Sequence, residues 1–293
     1  MRIEFIEKEL DNMKVDSKEL LLDAKKKGYA IPAPNFIDLD SGRAYVEVAE
    51  KRGLPVILSY AQKHIDIMSL EEAALIGNFL AEKANVPVVL HLDHGFDKDF
   101  IFKAIDLGFS AAMIDASEAS FDDNVKITKE VVDYAHKYNV PVEAELGHVG
   151  ANDLSEARAL TDSVYTEAKD VVRFVEATGV DSLAVSIGTA HGVYSGNPEI
   201  NFDRLEEINQ ATDIPLVLHG GSSSGDENLK KCAQKGVAKI NIYTDFIVAA
   251  YEAIKKEKLA GYVELKKTAD QGMKEVLDHY YDVFETDHYK EGK

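Results

Sequence analysis

Eight short runs of β-branched and apolar residues, each followed by a longer stretch with apolar residues at three-and-four spacing, constrain most strongly what this chain can fold into. They occupy residues 30–35, 55–59, 87–92, 111–115, 141–146, 182–187, 215–218 and 238–242. Four are entered through a proline (Pro55, Pro87, Pro141, Pro215), which ends a loop and begins an extended segment. Runs such as PVVLHL, SLAVSI and PLVLHG are almost continuously apolar, as strands covered on both faces must be. Eight βα units with covered strands predict an α/β fold of the closed (β/α)8 TIM barrel type. The alternative is an open doubly wound sheet, whose marker, a G-x-G-x-x-G turn after the first strand, is absent from the sequence. No Pro/Gly/Ser linker interrupts the repeat, so residues 1–293 are read as one domain. A charged, helix-prone tail (about 263–285) is expected to pack outside the barrel or against a partner subunit.

Fifty-two acidic against 33 basic residues give a net charge of −19, which argues against nucleic acid and anionic membranes as partners. An anionic substrate then has to be held by local donors. The one cysteine, Cys232, cannot form an internal disulfide; it lies in a helical stretch, fits a reducing compartment and is read as packing. The opening segment MRIEFIEKELDNMKV is too charged for a signal peptide, and no apolar run approaches the roughly 20 residues that span a bilayer. A soluble cytoplasmic protein is the expectation.

A parallel barrel exposes its chemistry at the carboxyl ends of its strands. The third run ends in His91-Leu92-Asp93-His94-Gly95 and the fifth carries Glu143-Ala144-Glu145-Leu146-Gly147. The sixth leads to Gly188-Thr189-Ala190-His191-Gly192, and the seventh to His219-Gly220-Gly221-Ser222. Histidines at three strand ends, His94, His191 and His219, each followed by a glycine that admits close backbone approach, suit a catalytic zinc with one position left open. Asp93 is the first choice for proton carrier and Glu145 the second carboxylate. Glu143 is expected to form a barrel-bottom or helix-facing salt bridge, and His91 to be core or support. His148 either lines the mouth or is solvated. His64, His136, His279 and His288 are read as structural. The loop Gly220-Gly221-Ser222-Ser223-Ser224-Gly225 opens a helix, where free amides favour an anion. With Asn241 and Thr244 it matches the recurrent phosphate site of this fold. Asn35, at the end of the first run, is read as a further substrate contact.

Along almost its whole length the sequence resembles the class II, metal-dependent fructose- and tagatose-bisphosphate aldolases. The motifs that carry the resemblance are VVLHLDHG (88–95), VEAELGHVG (142–150), AVSIGTAHGVY (184–194), LVLHGGSS (216–223) and KINIYTD (239–245). The resemblance implies that His94, His191 and His219 bind Zn2+ and that Asp93 exchanges the proton on the hydroxyl at the cleaved bond. It implies further that Glu145 assists at the metal and that Gly192, Gly220, Ser222, Asn241 and Thr244 hold a substrate phosphate. It also implies a monovalent cation, Na+ or K+, at the phosphate site, and a homodimer or homotetramer. Carbon–carbon cleavage leaves an enediolate whose charge zinc would neutralise, with no lysine Schiff base.

Where family members that act on ketose bisphosphates resemble one another in a lysine after the tyrosine of the sixth motif, this chain has Ser195 after Tyr194. Tyr243 stands where fructose-type members have Asp and tagatose-type members Ala; Ile247 stands where a basic residue commonly serves the distal phosphate. Ala61 and Pro34 replace polar and aromatic residues. The metal core is kept and the substrate wall is not. The expectation is a lyase that cleaves a sugar or sugar-phosphate ketose other than an ordinary hexose bisphosphate. A standard fructose- or tagatose-1,6-bisphosphate aldolase is the alternative. A metal-dependent barrel hydrolase and a metal-binding barrel without catalysis are more distant readings.

Overall fold

The computed structural model describes residues 13–147, 151–152, 165–192 and 198–291; residues 151–152 and 191–192 are described in backbone only. Ten strands occur: β1 (Ile31–Pro34), β2 (Val56–Ala61), β3 (Val88–Gly95), β4 (Ala111–Ile114), β5 (Val142–Leu146), β6 (Ala151–Asn152), β7 (Ser182–Val185), β8 (His191–Gly192), β9 (Leu216–Leu218) and β10 (Val237–Ile242) among the described residues. Eight of them form one parallel sheet in the order β1-β10-β9-β7-β5-β4-β3-β2. All eight predicted runs are these strands. The two outer members meet where Asn35 pairs with Ser59 and the Phe36 N–H donates to the Ser59 carbonyl at 3.0 Å, so the barrel is nearly closed. The other two, β6 and β8, pair with each other beyond the barrel, Ala151 opposite His191.

The helices are α1 (Lys18–Lys27), α2 (Leu39–Arg52), α3 (Leu70–Lys83), α4 (Lys98–Asp106), α5 (Phe121–Ala135), α6 (Ala168–Thr178), α7 (Phe202–Ala211), α8 (Asp226–Gln234), α9 (Thr244–Lys256) and α10 (Tyr262–Val283). Local sequence sets their limits: Asp38 and Ser69 close capping boxes at the starts of α2 and α3, and left-handed Gly28 and Gly53 end α1 and α2. Leu58, Leu90, Val142 and Leu183 are among the strand residues that join the core between sheet and helices. Cys232 is buried on α8, and burial pushes its thiol up to about 12, as a packing cysteine requires.

The barrel interior is layered. At its lower end Leu21 and Ala24 of α1 pack on Ile31, Ala33, Ile57, Val89, Ala111 and Ala238, residues near the strand starts, so α1 plugs that end. The periodicity reading did not anticipate this helix as a plug. Met113, Ala184 and Val217 form a small apolar cluster of their own. The tail expected near 263–285 is α10, which packs outside the barrel on α9 and α2 of its own chain. It then returns to the barrel: the Ala30 N–H donates to the Phe284 carbonyl (3.0 Å), Thr286 Oγ1 to the Ala30 carbonyl (2.7 Å) and the Tyr281 hydroxyl to the Pro55 carbonyl (3.0 Å). Among the described residues no helix is long and apolar enough to cross a membrane.

If α1 is the plug, Leu21→Ala opens a cavity and lowers unfolding free energy by about 3 kcal/mol in urea titrations. A loss below about 1 kcal/mol would show that the lower end is closed by other residues.

Candidate active site

Adjacent strand residues normally face opposite ways, yet Asp93 and His94 both reach the barrel mouth. The register explains it. Leu92 pairs with Ala112 but Gly95 with Ile114, so β3 carries one extra residue, and His94 takes φ 44 within that bulge. A left-handed non-glycine residue is strained, and here the strain turns a second side chain inward. Gly95 is obligatory beside it, since a Cβ there would stand 2.7 Å from the Met113 carbonyl oxygen.

His94 Nδ1 is 2.9 Å from Asp115 Oδ2, a carboxylate at the end of β4 that Ser117 also holds, by its N–H and its hydroxyl. His219, directly after β9, has Nε2 at 2.9 Å from Glu143 Oε1. Glu143 in turn accepts from Lys239 Nζ at 3.0 and 2.8 Å, and the same ammonium lies 3.2 Å from His91 Nε2. All four of these residues are buried. Burial, with Lys239 beside it, pushes His91 down to about 3, so its imidazole is neutral. Against burial, Lys239 and His219 hold the Glu143 carboxyl well below the usual carboxylate range. The expectation for Glu143 is therefore corrected: it is a salt bridge, but inside the barrel and bonded to a site histidine.

The two carboxylates fix the imidazole tautomers. Asp115 accepts from His94 Nδ1–H and Glu143 from His219 Nε2–H, which leaves His94 Nε2 and His219 Nδ1 facing each other at 2.8 Å. Two neutral rings so held aim lone pairs at one another, and a positive charge between them makes the pair attractive. Asp93 Oδ1 lies 4.0 Å from each of these nitrogens. Glu145, also buried, shares a second group with His94 and Asp115, with the donor atoms within 4.8 Å of one another. Burial alone would lower His94, but Asp93, the bonded Asp115 and Glu145 outweigh it and push it up to about 9. The field that favours a proton there also favours a divalent cation, and imidazole plus carboxylate is a donor set zinc accepts. Asp93, His94 and His219 thus form a potential metal site.

His191 lies on β8, where its backbone is described and its side chain is not. A Cβ at Gly220 (φ +67) would stand 2.4 Å from the Ala190 carbonyl oxygen, so the backbones before His191 and after His219 are in direct contact. His148, Tyr194 and Ser195 lie outside the described residues, as does the side-chain environment of Gly192. Asn35 and Asn241, read from sequence as substrate contacts, donate their side-chain amides to the two oxygens of Asp93, each at 2.8 Å. The loop read as an anion site is partly committed internally. The Gly221 N–H donates to the Asn241 carbonyl (3.2 Å), and the Ser223 N–H and hydroxyl donate to Asp245 (2.9 and 3.1 Å). Ser222 Oγ accepts from the N–H groups of Tyr243 (3.2 Å) and Asp245 (3.4 Å), tying the loop to the start of α9, next to Thr244. Tyr243 and Ile247 are half-buried there, and Ala61 is buried at the level of Asp93 on the neighbouring strand. Of the histidines read as structural, His136 pairs with Asp181 (2.8 Å), His279 with Asp226 (3.0 Å) and His288 lies 4.0 Å from Glu291.

Residues 15–288 match the family model described as fructose-bisphosphate aldolase class-II. The chain is 39% identical over 253 residues to YdjI of Escherichia coli strain K12, described as an uncharacterized protein, covering 86% of this chain and 91% of that one. The crystal structure of the YdjI aldolase superposes with a TM-score of 0.85 at 33% identity, covering 95% of this chain and 100% of the other. Fructose-bisphosphate aldolase of Campylobacter jejuni superposes with a TM-score of 0.79 at 26% identity, covering 93% and 95%.

Two substitutions test the architecture of the site. Asp115→Asn is expected to raise the zinc dissociation constant roughly 10–100-fold in chelator competition, with the circular dichroism unchanged; an unchanged constant would mean that Asp115 does not orient His94. Lys239→Met, which strands the Glu143 carboxylate, is expected to cost roughly 3–5 kcal/mol in urea unfolding. A near-neutral effect would show that Glu143 is held by other groups.

Proposed function

Because this chain belongs to the class II fructose-bisphosphate aldolase family, and is therefore a lyase, we propose that it is a zinc-dependent aldolase acting on a ketose or ketose monophosphate rather than an ordinary hexose bisphosphate. The products are a dihydroxyacetone-type fragment and an aldehyde. The observation that carries the reading is the pair of imidazole nitrogens 2.8 Å apart beside Asp93, each ring oriented from behind by a carboxylate. His94, His219 and, by resemblance, His191 would hold the zinc, which when bound supplies positive charge to the oxygen that turns anionic as the carbon–carbon bond breaks.

Asp93 takes the proton of the hydroxyl at the cleaved bond and returns it in condensation. The Asn35 and Asn241 amides fix both its oxygens, which suits it to that task, and, against burial, His94 and His219 hold its carboxyl well below the usual range, so it is ionised. Glu145, buried close to His94 and Asp115, is the second carboxylate and shares the proton movements.

The substrate wall supports something other than a hexose bisphosphate. Losing a cationic phosphate contact costs about 1.5–3 kcal/mol, and neither Tyr243 nor Ile247 carries a positive charge to replace one. A monophosphate or an unphosphorylated ketose fits these residues better. Ser195, at the remaining departure, belongs to the same argument by sequence alone. The family resemblance supports a cytoplasmic homodimer or homotetramer, with Na+ or K+ near the phosphate.

A retro-aldol screen of the zinc-loaded protein against ketose bisphosphates, 1-phosphates and unphosphorylated ketoses tests the reading. Turnover is expected only with the last two classes, and Asp93→Ala should lower kcat roughly 10²–10⁴-fold. Efficient cleavage of fructose or tagatose 1,6-bisphosphate would overturn the substrate reading; no turnover of any ketose would overturn the aldolase reading.

A further inference from the structure

Beside Asp93 the barrel mouth carries a buried imidazole that the aldol chemistry leaves unused. Ala61 ends β2 level with Asp93, and the chain then turns through a 3₁₀ segment, Gln62–His64. His64 is only 5% exposed, and among the described residues its Nδ1 is buried without a hydrogen-bond partner. Its ring lies against that of Tyr243, with centroids 4.7 Å apart and planes tilted by 39°. Tyr243 follows β10 and His64 follows β2, the strands on either side of β1, so the pair spans the end of β1 where Asn35 holds Asp93. Asp93 is close enough for its charge to act on the His64 ring.

A histidine that only fills space buries its nitrogens against partners, because an unsatisfied buried polar atom costs about 1–3 kcal/mol. Here that cost sits at the mouth of the site, next to the proposed proton carrier. We propose that His64, braced by Tyr243, recognises an uncharged hydroxyl on the aldehyde-derived half of the substrate.

The assignment rests on the aldolase reading, in which Asp93 serves the hydroxyl of the cleaved bond. That hydroxyl becomes the carbonyl of the aldehyde fragment, so the group next along the chain toward β2 belongs to the same fragment. Burial, reinforced by the charge of Lys63 and opposed by Asp93, pushes His64 down to about 4, and its ring is neutral at physiological pH. A neutral imidazole both donates and accepts, which matches a hydroxyl. It brings no cation to a distal phosphate. His64 and Tyr243 together thus turn the absence of a basic residue at Ile247 into a preference.

The test is aldol condensation by the zinc-loaded enzyme, with dihydroxyacetone phosphate or dihydroxyacetone as one reactant and D-glyceraldehyde or butanal as the other. Wild type should favour glyceraldehyde. His64→Ala should lower kcat/KM for glyceraldehyde by roughly 10-fold or more and change butanal by less than about 3-fold, with His64→Gln in between. Equal losses on both aldehydes would overturn the assignment and return His64 to a structural role. If wild type turned over neither aldehyde, the aldolase reading itself would fail, and the imidazole NMR signal of His64, identified by its loss in His64→Ala, decides the recognition separately. A signal moved by glyceraldehyde and not by butanal supports it; a signal moved by neither overturns it.

Discussion

The candidate site rests on a buried ion pair, Lys239 Nζ with both oxygens of Glu143 at 2.8 and 3.0 Å. Two charges inside a barrel are costly to desolvate and persist only when each finds a full set of partners. Lys239 uses Glu143 and His91; Glu143 uses Lys239 and His219. Because Glu143 stays ionised, His219 must present its Nε2 hydrogen to it, which turns Nδ1 toward His94. The orientation of one half of the potential metal site therefore follows from a lysine that lies deeper in the barrel and touches neither metal nor substrate in the proposed mechanism.

The other half depends on backbone geometry. A one-residue bulge in β3 lets consecutive residues serve one centre, Asp93 through the asparagines of β10 and of the residue after β1, and His94 through Asp115 of the β4 end. Each polar group at the centre is thus held by a residue on a different strand. That is how a closed barrel preorganises charge: helices and α1 fill the apolar volume, and the strands deliver fixed donors to one end.

Much of this was legible in the sequence. The eight strand runs, their polar ends and the placement of Asp93, His94, Glu145 and His219 at one mouth follow from period-two runs and strand-end chemistry. The inward direction of Glu143 is legible as well. It lies two residues from Glu145, so a strand puts both on one face, and Lys239 and Asn241 repeat the pattern on β10. Asp115 was equally visible as a carboxylate at a strand end. Asn35 and Asn241 stand at strand ends in the sequence, but pattern alone does not say whether an amide meets substrate or steadies a carboxylate. The bulge was not legible, since one inserted residue leaves no periodic trace in so short a strand. Nor was the plug: Leu21 and Ala24 show the same amphipathic spacing as any surface helix, and only contact with strand starts distinguishes them.

The central claim is that oriented imidazoles at the barrel mouth form a zinc centre. X-ray absorption at the zinc edge, on protein loaded with one equivalent, tests it most directly. The account predicts stoichiometric zinc with nitrogen and oxygen neighbours at about 2.0–2.2 Å, an imidazole scattering signature and no sulfur, with imidazole scattering reduced in His219→Ala. Zinc that fails to bind stoichiometrically, or a shell without imidazole, would contradict it.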